Sequence, residues 1–202
     1  MAGRRTYHHG DLRNALLDAT IELVRERGAK GFSVSEAARR AGVSSSAPYR
    51  HFADRDALLA AAAQQAFGEL ETSFAELPLG EALAARAAQI VVAYVAFARA
   101  DPARFEIMFA SGIDKSSHSE LLETTRHTQD RLEAALSPFI PQAELVDRAA
   151  QLWSIAHGVA ALTVSGNLHH VVDSAHVDTL AADAARTWAI AVGGTGVHAP
   201  TP

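Results

Sequence analysis

Ser44, Ser45, Ser46, Tyr49, Arg50 and His51 fall within eight consecutive positions and leave almost nothing apolar between them. Hydroxyls, a phenol, a guanidinium and an imidazole on one short element form a set of hydrogen-bond donors, acceptors and cations. Braced by an apolar helix, such an element is what the major groove of DNA accepts. The chemistry it offers is recognition. Reaction chemistry finds little support elsewhere in the chain: no G-x-S-x-G, H-E-x-x-H or glycine-rich phosphate loop occurs. Cysteine is absent, which removes a thiol nucleophile, a thiolate metal site and a disulfide framework. A plain helical hairpin with a serine-rich corner is the competing reading. It requires two caps, a turn glycine and a polar outer face to coincide by chance.

The flanking residues place the elements that must hold this surface. Ser33 followed by Glu36 reads as a capping box at the start of a short helix. Ala37, Ala38 and Ala41 keep that helix slim enough for close crossing, and Gly42 suits the left-handed position that ends it. Val43 plugs the corner, and Ser44 is expected to cap a second short helix. Pro48 fits that helix only if it begins near Ser44. Phe52 closes the apolar wedge, and Asp54 is expected to cap a long helix beginning at Arg55.

With these residues assembled, the segment resembles the DNA-binding domain of the tetracycline-repressor (TetR) family of bacterial regulators. The likeness begins at Tyr7-His8-His9-Gly10-Asp11-Leu12-Arg13 and continues into LLDATIELVRERG. It takes in Gly31-Phe32-Ser33-Val34, Ala41-Gly42-Val43-Ser44 and Tyr49-Arg50-His51-Phe52, then Arg55 and Leu58. The resemblance implies a homodimer on double-stranded operator DNA, one helix-turn-helix per subunit, and a helical ligand-sensing domain behind it. It places Ser45, Ser46, Tyr49 and Arg50 at the groove or its walls, with Ser44 also counted among the DNA-binding residues and Arg50 as the base reader, since a guanidinium can hold guanine O6 and N7 together. Tyr49, His51 and Arg55 would clamp phosphates, helped by Ser33 and Ser35. Arg4 and Arg5 are candidates for a minor-groove arm. The family often has an aromatic where Arg50 stands and commonly Lys where Arg55 stands.

The chain has 202 residues, 49% of them apolar, and a net charge of −5. That balance argues against nucleic acid until it is divided. Residues 1–56 hold ten Lys/Arg and seven Asp/Glu; the remainder holds eight and sixteen. A mildly basic head on an acidic body can still grip phosphate locally. The N-terminus lacks the apolar core of a secretory signal, so a cytoplasmic protein is expected. From Ala149 to Val172 no residue is charged, a length that could span a bilayer. Gln151, Ser154, His157, Asn167, His169 and His170 argue instead for a helix buried on several sides.

Hydropathy periodicity predicts an all-α fold of about nine helices. The expected division is a reading head over 1–54, a helical sensing and dimerisation domain over 55–192, and a flexible tail over 193–202. In the helix expected near 142–165, two apolar stripes require two partners. A second copy of the chain is the simplest outer one, contacting Ala156, Ala160 and Val164, with Ala181, Ala185, Trp188 and Ala189 of the last helix. The run Trp153-Ser154-Ile155-Ala156-His157-Gly158 resembles the Trp-x-x-x-His-Gly feature of one C-terminal domain type in the family. Tyr94, Phe97, Phe105, Met108, Phe109 and Trp153, with His127 and His157 as polar handles, suit a pocket for a small hydrophobic effector. For each residue singly, core packing competes with that role. No cofactor is expected. A metal-sensing alternative rests on His169, His170 and His176, whose spacing completes no site, and an all-α enzyme is a remoter alternative.

Overall fold

A computed structural model describes residues 9–75, 77, 82–110 and 113–194. Among them the order is α1 (His9–Arg27), α2 (Val34–Arg40), α3 (Arg55–Ala75), α4 (Leu83–Ala100), α5 (Pro102–Met108), α6 (Ser119–Leu136), α7 (Leu145–Val164) and α8 (Val177–Gly194), with short 3-10 turns and no strand. The fold of the described residues is all-α. They cluster into two compact units: Met1–Gly68 with Pro102–Thr125, and Glu69–Asp101 with Arg126–Pro202. Arg4, Arg5, the expected break at Pro78 and Gly80, and the tail beyond Gly194 lie outside the described residues.

In the first unit, α1 buries Leu16, Leu17, Leu23 and Val24, and α2 buries Val34, Ala37 and Ala38. The alanines let the two helices pack closely, and charges on the rim fix their angle. Arg40 meets both carboxylate oxygens of Glu26 at 2.7 and 2.8 Å, and Arg27 meets Glu36 at 2.6 Å. Ser33 accepts the Glu36 backbone N–H at 3.3 Å, one half of the expected capping box. Gly42 has φ +73 and ends α2 in a Schellman motif: its N–H reaches the Arg39 carbonyl and Val43 N–H the Ala38 carbonyl.

The next element departs from expectation. The second short helix is a three-residue 3-10 turn, Pro48–Arg50, and Ser44 does not cap it. Pro48 brings no N–H, and its ring conflicts with a helical carbonyl four residues back, so an α-helix started at Ser44 cannot run through it. The Ala47 N–H bonds the Ser44 carbonyl at 3.0 Å instead, while the Ser44 hydroxyl lies 3.2 Å from that of Ser46. Asp54 caps α3 as expected, accepting the Ala57 N–H at 2.8 Å.

In the second unit α4 packs on α7 and α8, which also pack on each other. α4 alone among the described helices has the length and apolarity to cross a bilayer, yet Ile90, Val91, Tyr94, Val95 and Ala98 are buried inside the unit. The uncharged run from Ala149 does not continue as one helix: α7 stops at Val164 and Gly166 turns with φ +77. The outward stripe also needs correction. Ala156, Ala160, Ala181, Ala185, Trp188 and Ala189 are all buried within the unit, where small side chains let α7, α8 and α4 approach; Val164 is half-buried. Trp188 Nε1 donates to Gln151 Oε1 at 3.1 Å. The large apolar side chains that α7 leaves outside are Val146, Trp153 and Leu162, and on α8 Ile190. Helical spacing sets Ser154, Gly158 and Ala161 as a strip of small residues between Trp153 and Leu162.

Candidate nucleic-acid interface and sensing residues

The corner between α2 and α3 is anchored by two buried rings, Pro48 and Phe52. Phe52 also receives the Arg13 guanidinium 5.7 Å from its ring centroid. With these anchors pointing inward, Tyr49 and Arg50 between them point outward. Ser44, Ser45, Ser46 and Arg50 are exposed, and Tyr49 is 56% exposed. Among the described residues, the Tyr49 and Arg50 side chains have no hydrogen-bond or ion-pair partner. A guanidinium and a phenol presented together with hydroxyls can form parallel hydrogen bonds to base edges and single bonds to phosphate.

The remaining candidates sit differently. The Ser33 hydroxyl serves the start of α2, and Ser35 is exposed beside it. His51 is half-buried with Nε2 enclosed and, among the described residues, without a hydrogen-bond partner. Arg55 turns back onto its own unit: it donates to the carbonyls of Ala29 and Phe32 and lies 4.7 Å from the Phe32 ring centroid. Its guanidinium therefore fastens the loop after α1 to the first turn of α3.

The expected effector residues divide between the two units. In the second, the Tyr94 hydroxyl lies 3.1 Å from His157 Nδ1, and the Trp153 and His157 rings are 5.6 Å apart. Burial pushes the Tyr94 hydroxyl pKa well up, and a hydrogen bond from Trp153 opposes that. Phe97 is half-buried on α4, while His127 is exposed and lies 3.1 Å from Glu71. In the first unit Phe105 and Phe109 are ring neighbours at 5.2 Å, with Met108 buried on the same helix. Two further members join them there, Phe67 and Lys115. Nothing in the hydropathy pattern singles out Lys115. The signal that could have done so is Asp114-Lys115-Ser116-Ser117, where an Asp followed by hydroxyls predicts an ordered turn. The His169 and His170 rings lie 4.4 Å apart, tilted by 47°. Among the described residues no three His, Asp or Glu side chains converge as a metal site.

Comparison with known proteins bears on both units. The family profile described as "Bacterial regulatory proteins, tetR family" matches residues 16–62, and that described as "Tetracyclin repressor-like, C-terminal domain" matches 87–187. No curated protein matches the sequence. A solved protein of unknown function from Rhodococcus sp. RHA1 is 30% identical, with a TM-score of 0.75 over 94% of this chain and 100% of that one. A transcriptional regulator from the same organism is 23% identical, with a TM-score of 0.71 over 93% of this chain and 99% of that one. The regulator FadR from Bacillus subtilis, solved with stearoyl-CoA, is 14% identical, with a TM-score of 0.69 over 92% and 99%. The last two likenesses are of fold.

Proposed function

The chain belongs to the TetR family of transcriptional regulators, and on that premise we propose that it is a cytoplasmic, homodimeric repressor released from a palindromic operator by a small hydrophobic molecule. The observation that carries the DNA-reading half is the outward pair Tyr49 and Arg50, without partners among the described residues, between the buried anchors Pro48 and Phe52. Arg50 reads bases, and Ser44, Ser45, Ser46 and Tyr49 line the groove. Ser33, Ser35 and His51 contact the backbone, and Arg55 holds the loop that keeps them in register. A dimer is supported by the outward apolar side chains of α7 and α8, Val146, Trp153, Leu162 and Ile190, 42% to 72% exposed. Two heads related by a two-fold axis match a palindrome whose half-sites lie about one helical turn apart. An apolar effector is supported by the aromatic side chains on α4, α5 and α7, and by the same fold carrying an acyl-CoA in FadR. Sensing and dimerisation fall to residues 55–192, and reading to residues 1–54.

The test is a gel-shift titration of the full chain against duplexes selected from a random pool. A recovered inverted repeat, bound at least about a hundredfold more tightly than a scrambled duplex at the same salt, is expected. Recovery of no preferred sequence would sink the proposal.

A further inference from the structure

Lys115 begins a 3-10 turn, Lys115–Ser117, capped by Asp114. The Asp114 carboxylate accepts the Ser116 backbone N–H at 3.0 Å, the Ser116 hydroxyl at 2.6 Å and the Ser117 hydroxyl at 2.7 Å. Those bonds hold its pKa below the usual carboxylate value, that from the Ser116 hydroxyl foremost. The nearest acid in sequence therefore locks the turn and leaves the neighbouring ammonium unneutralised. Lys115 Nζ lies 4.9 Å from the Phe67 ring centroid and 5.4 Å from that of Phe109. Phe67 and Phe109 meet edge to face at 6.0 Å, and Phe105 extends the cluster. Phe67 and Phe105 are buried, while Lys115 and Phe109 are half-buried. Among the described residues Lys115 has no carboxylate partner, and burial lowers its pKa. Ring faces attract a cation, but they replace only part of the hydration it loses. An ammonium held by a rigid turn, half withdrawn from water onto an aromatic floor and without an anion, is built to receive one.

We propose that Lys115 is the anion anchor of the effector site, so that the regulatory ligand is a carboxylate on an apolar body. The carboxylate pairs with the ammonium, and the body lies along Phe67, Phe105 and Phe109. The inference rests on the effector reading above and narrows it to acidic amphiphiles.

The experiment compares octanoate with octanamide and 4-phenylbutyrate with 4-phenylbutanamide, reading release of the full chain from its selected duplex. Each acid is expected to act at a concentration at least about tenfold below its amide. Lys115→Met, which keeps the apolar stem, should erase that preference. Lys115→Arg, which keeps the charge, should retain it, and unchanged duplex affinity without ligand certifies that both variants fold. Acids and amides acting alike, or a preference that survives in Lys115→Met, would overturn the anchor and leave the effector reading standing. Silence from all the compounds would overturn both.

Discussion

The Glu106 carboxylate accepts the backbone N–H of Ala29 at 2.7 Å, tying α5 to the chain just past the end of α1. Gly28 takes the left-handed φ of +75 that this turn needs, and its missing Cβ, which would stand 3.3 Å from the same carboxylate oxygen, leaves the contact uncrowded. Within one unit, α5 thus carries Phe105 and Met108, and just beyond it lies Phe109; the same helix holds the helix that braces the reading turn. A ligand lying on those rings would press on an element bonded to the head, a physical route for coupling.

Glu106→Ala removes the acceptor from a part-buried N–H and should lower stability by about 0.5–1.5 kcal/mol. Glu106→Gln retains a carbonyl acceptor and should recover most of that loss. Urea titrations of the three proteins decide the matter, and equal midpoints would show that the bond contributes nothing.

Arg50 and Arg55 should separate into different phenotypes. Arg50 is exposed and has no partner among the described residues, so Arg50→Ala should cost about 1–3 kcal/mol on the selected duplex and little on random DNA. Arg55 binds two backbone carbonyls and stacks on Phe32, so Arg55→Ala should weaken all duplexes alike and lower the melting temperature. Arg55→Lys keeps the charge but loses the flat two-carbonyl geometry. A melting temperature that Lys fully restores would return Arg55 to the role of a phosphate clamp alone.

The reading head was legible because its signals are local. Ser33, Gly42, Asp54 and Phe52 each declare a backbone or burial role that a few neighbours suffice to decide. Pro48 shortened the reading element to a 3-10 turn, a contest between ring sterics and helix propagation that spacing alone left open. The outward face of α7 was misassigned for a different reason. Its two stripes are both apolar, and only packing on α4 and α8 decides that Ala156 and Ala160 go inside while Trp153 and Leu162 stay out. Lys115 was invisible because its significance lies in Phe67, distant in sequence, in Phe109, which only the turn after α5 brings beneath it, and in Asp114 being engaged by serines.

Tyr94 gives the second unit an alkaline limit. Its folded pKa is raised, by burial first, above the ordinary tyrosine value of 10.0. A raised value means its stabilisation is complete below that pH and is lost as pH rises further, because the unfolded chain ionises first. Melting temperatures followed from about pH 9 to about pH 11 should fall more steeply for the natural chain than for Tyr94→Phe. Parallel curves would show that the hydroxyl carries no linked proton.

Gly158 separates the stability of one chain from that of a pair. It lies within α7 between Ser154 and Ala161, and a Cβ built there meets nothing within 4 Å. For a lone chain, Gly158→Ala should therefore be stabilising by about 0.5–1 kcal/mol, since alanine loses less backbone entropy in a helix. If instead the strip flanked by Trp153 and Leu162 is the seam between two copies, the added methyl holds the helices apart and weakens the dimer. Leu162→Asp, which places a charge on the same strip, should weaken it more. Sedimentation across a concentration series is expected to show dissociation rising from the natural chain to Gly158→Ala to Leu162→Asp, with operator affinity falling in the same order. A Gly158→Ala protein that is more stable yet equally dimeric would move the seam off this strip, and a Leu162→Asp protein that stays dimeric would remove α7 from the interface.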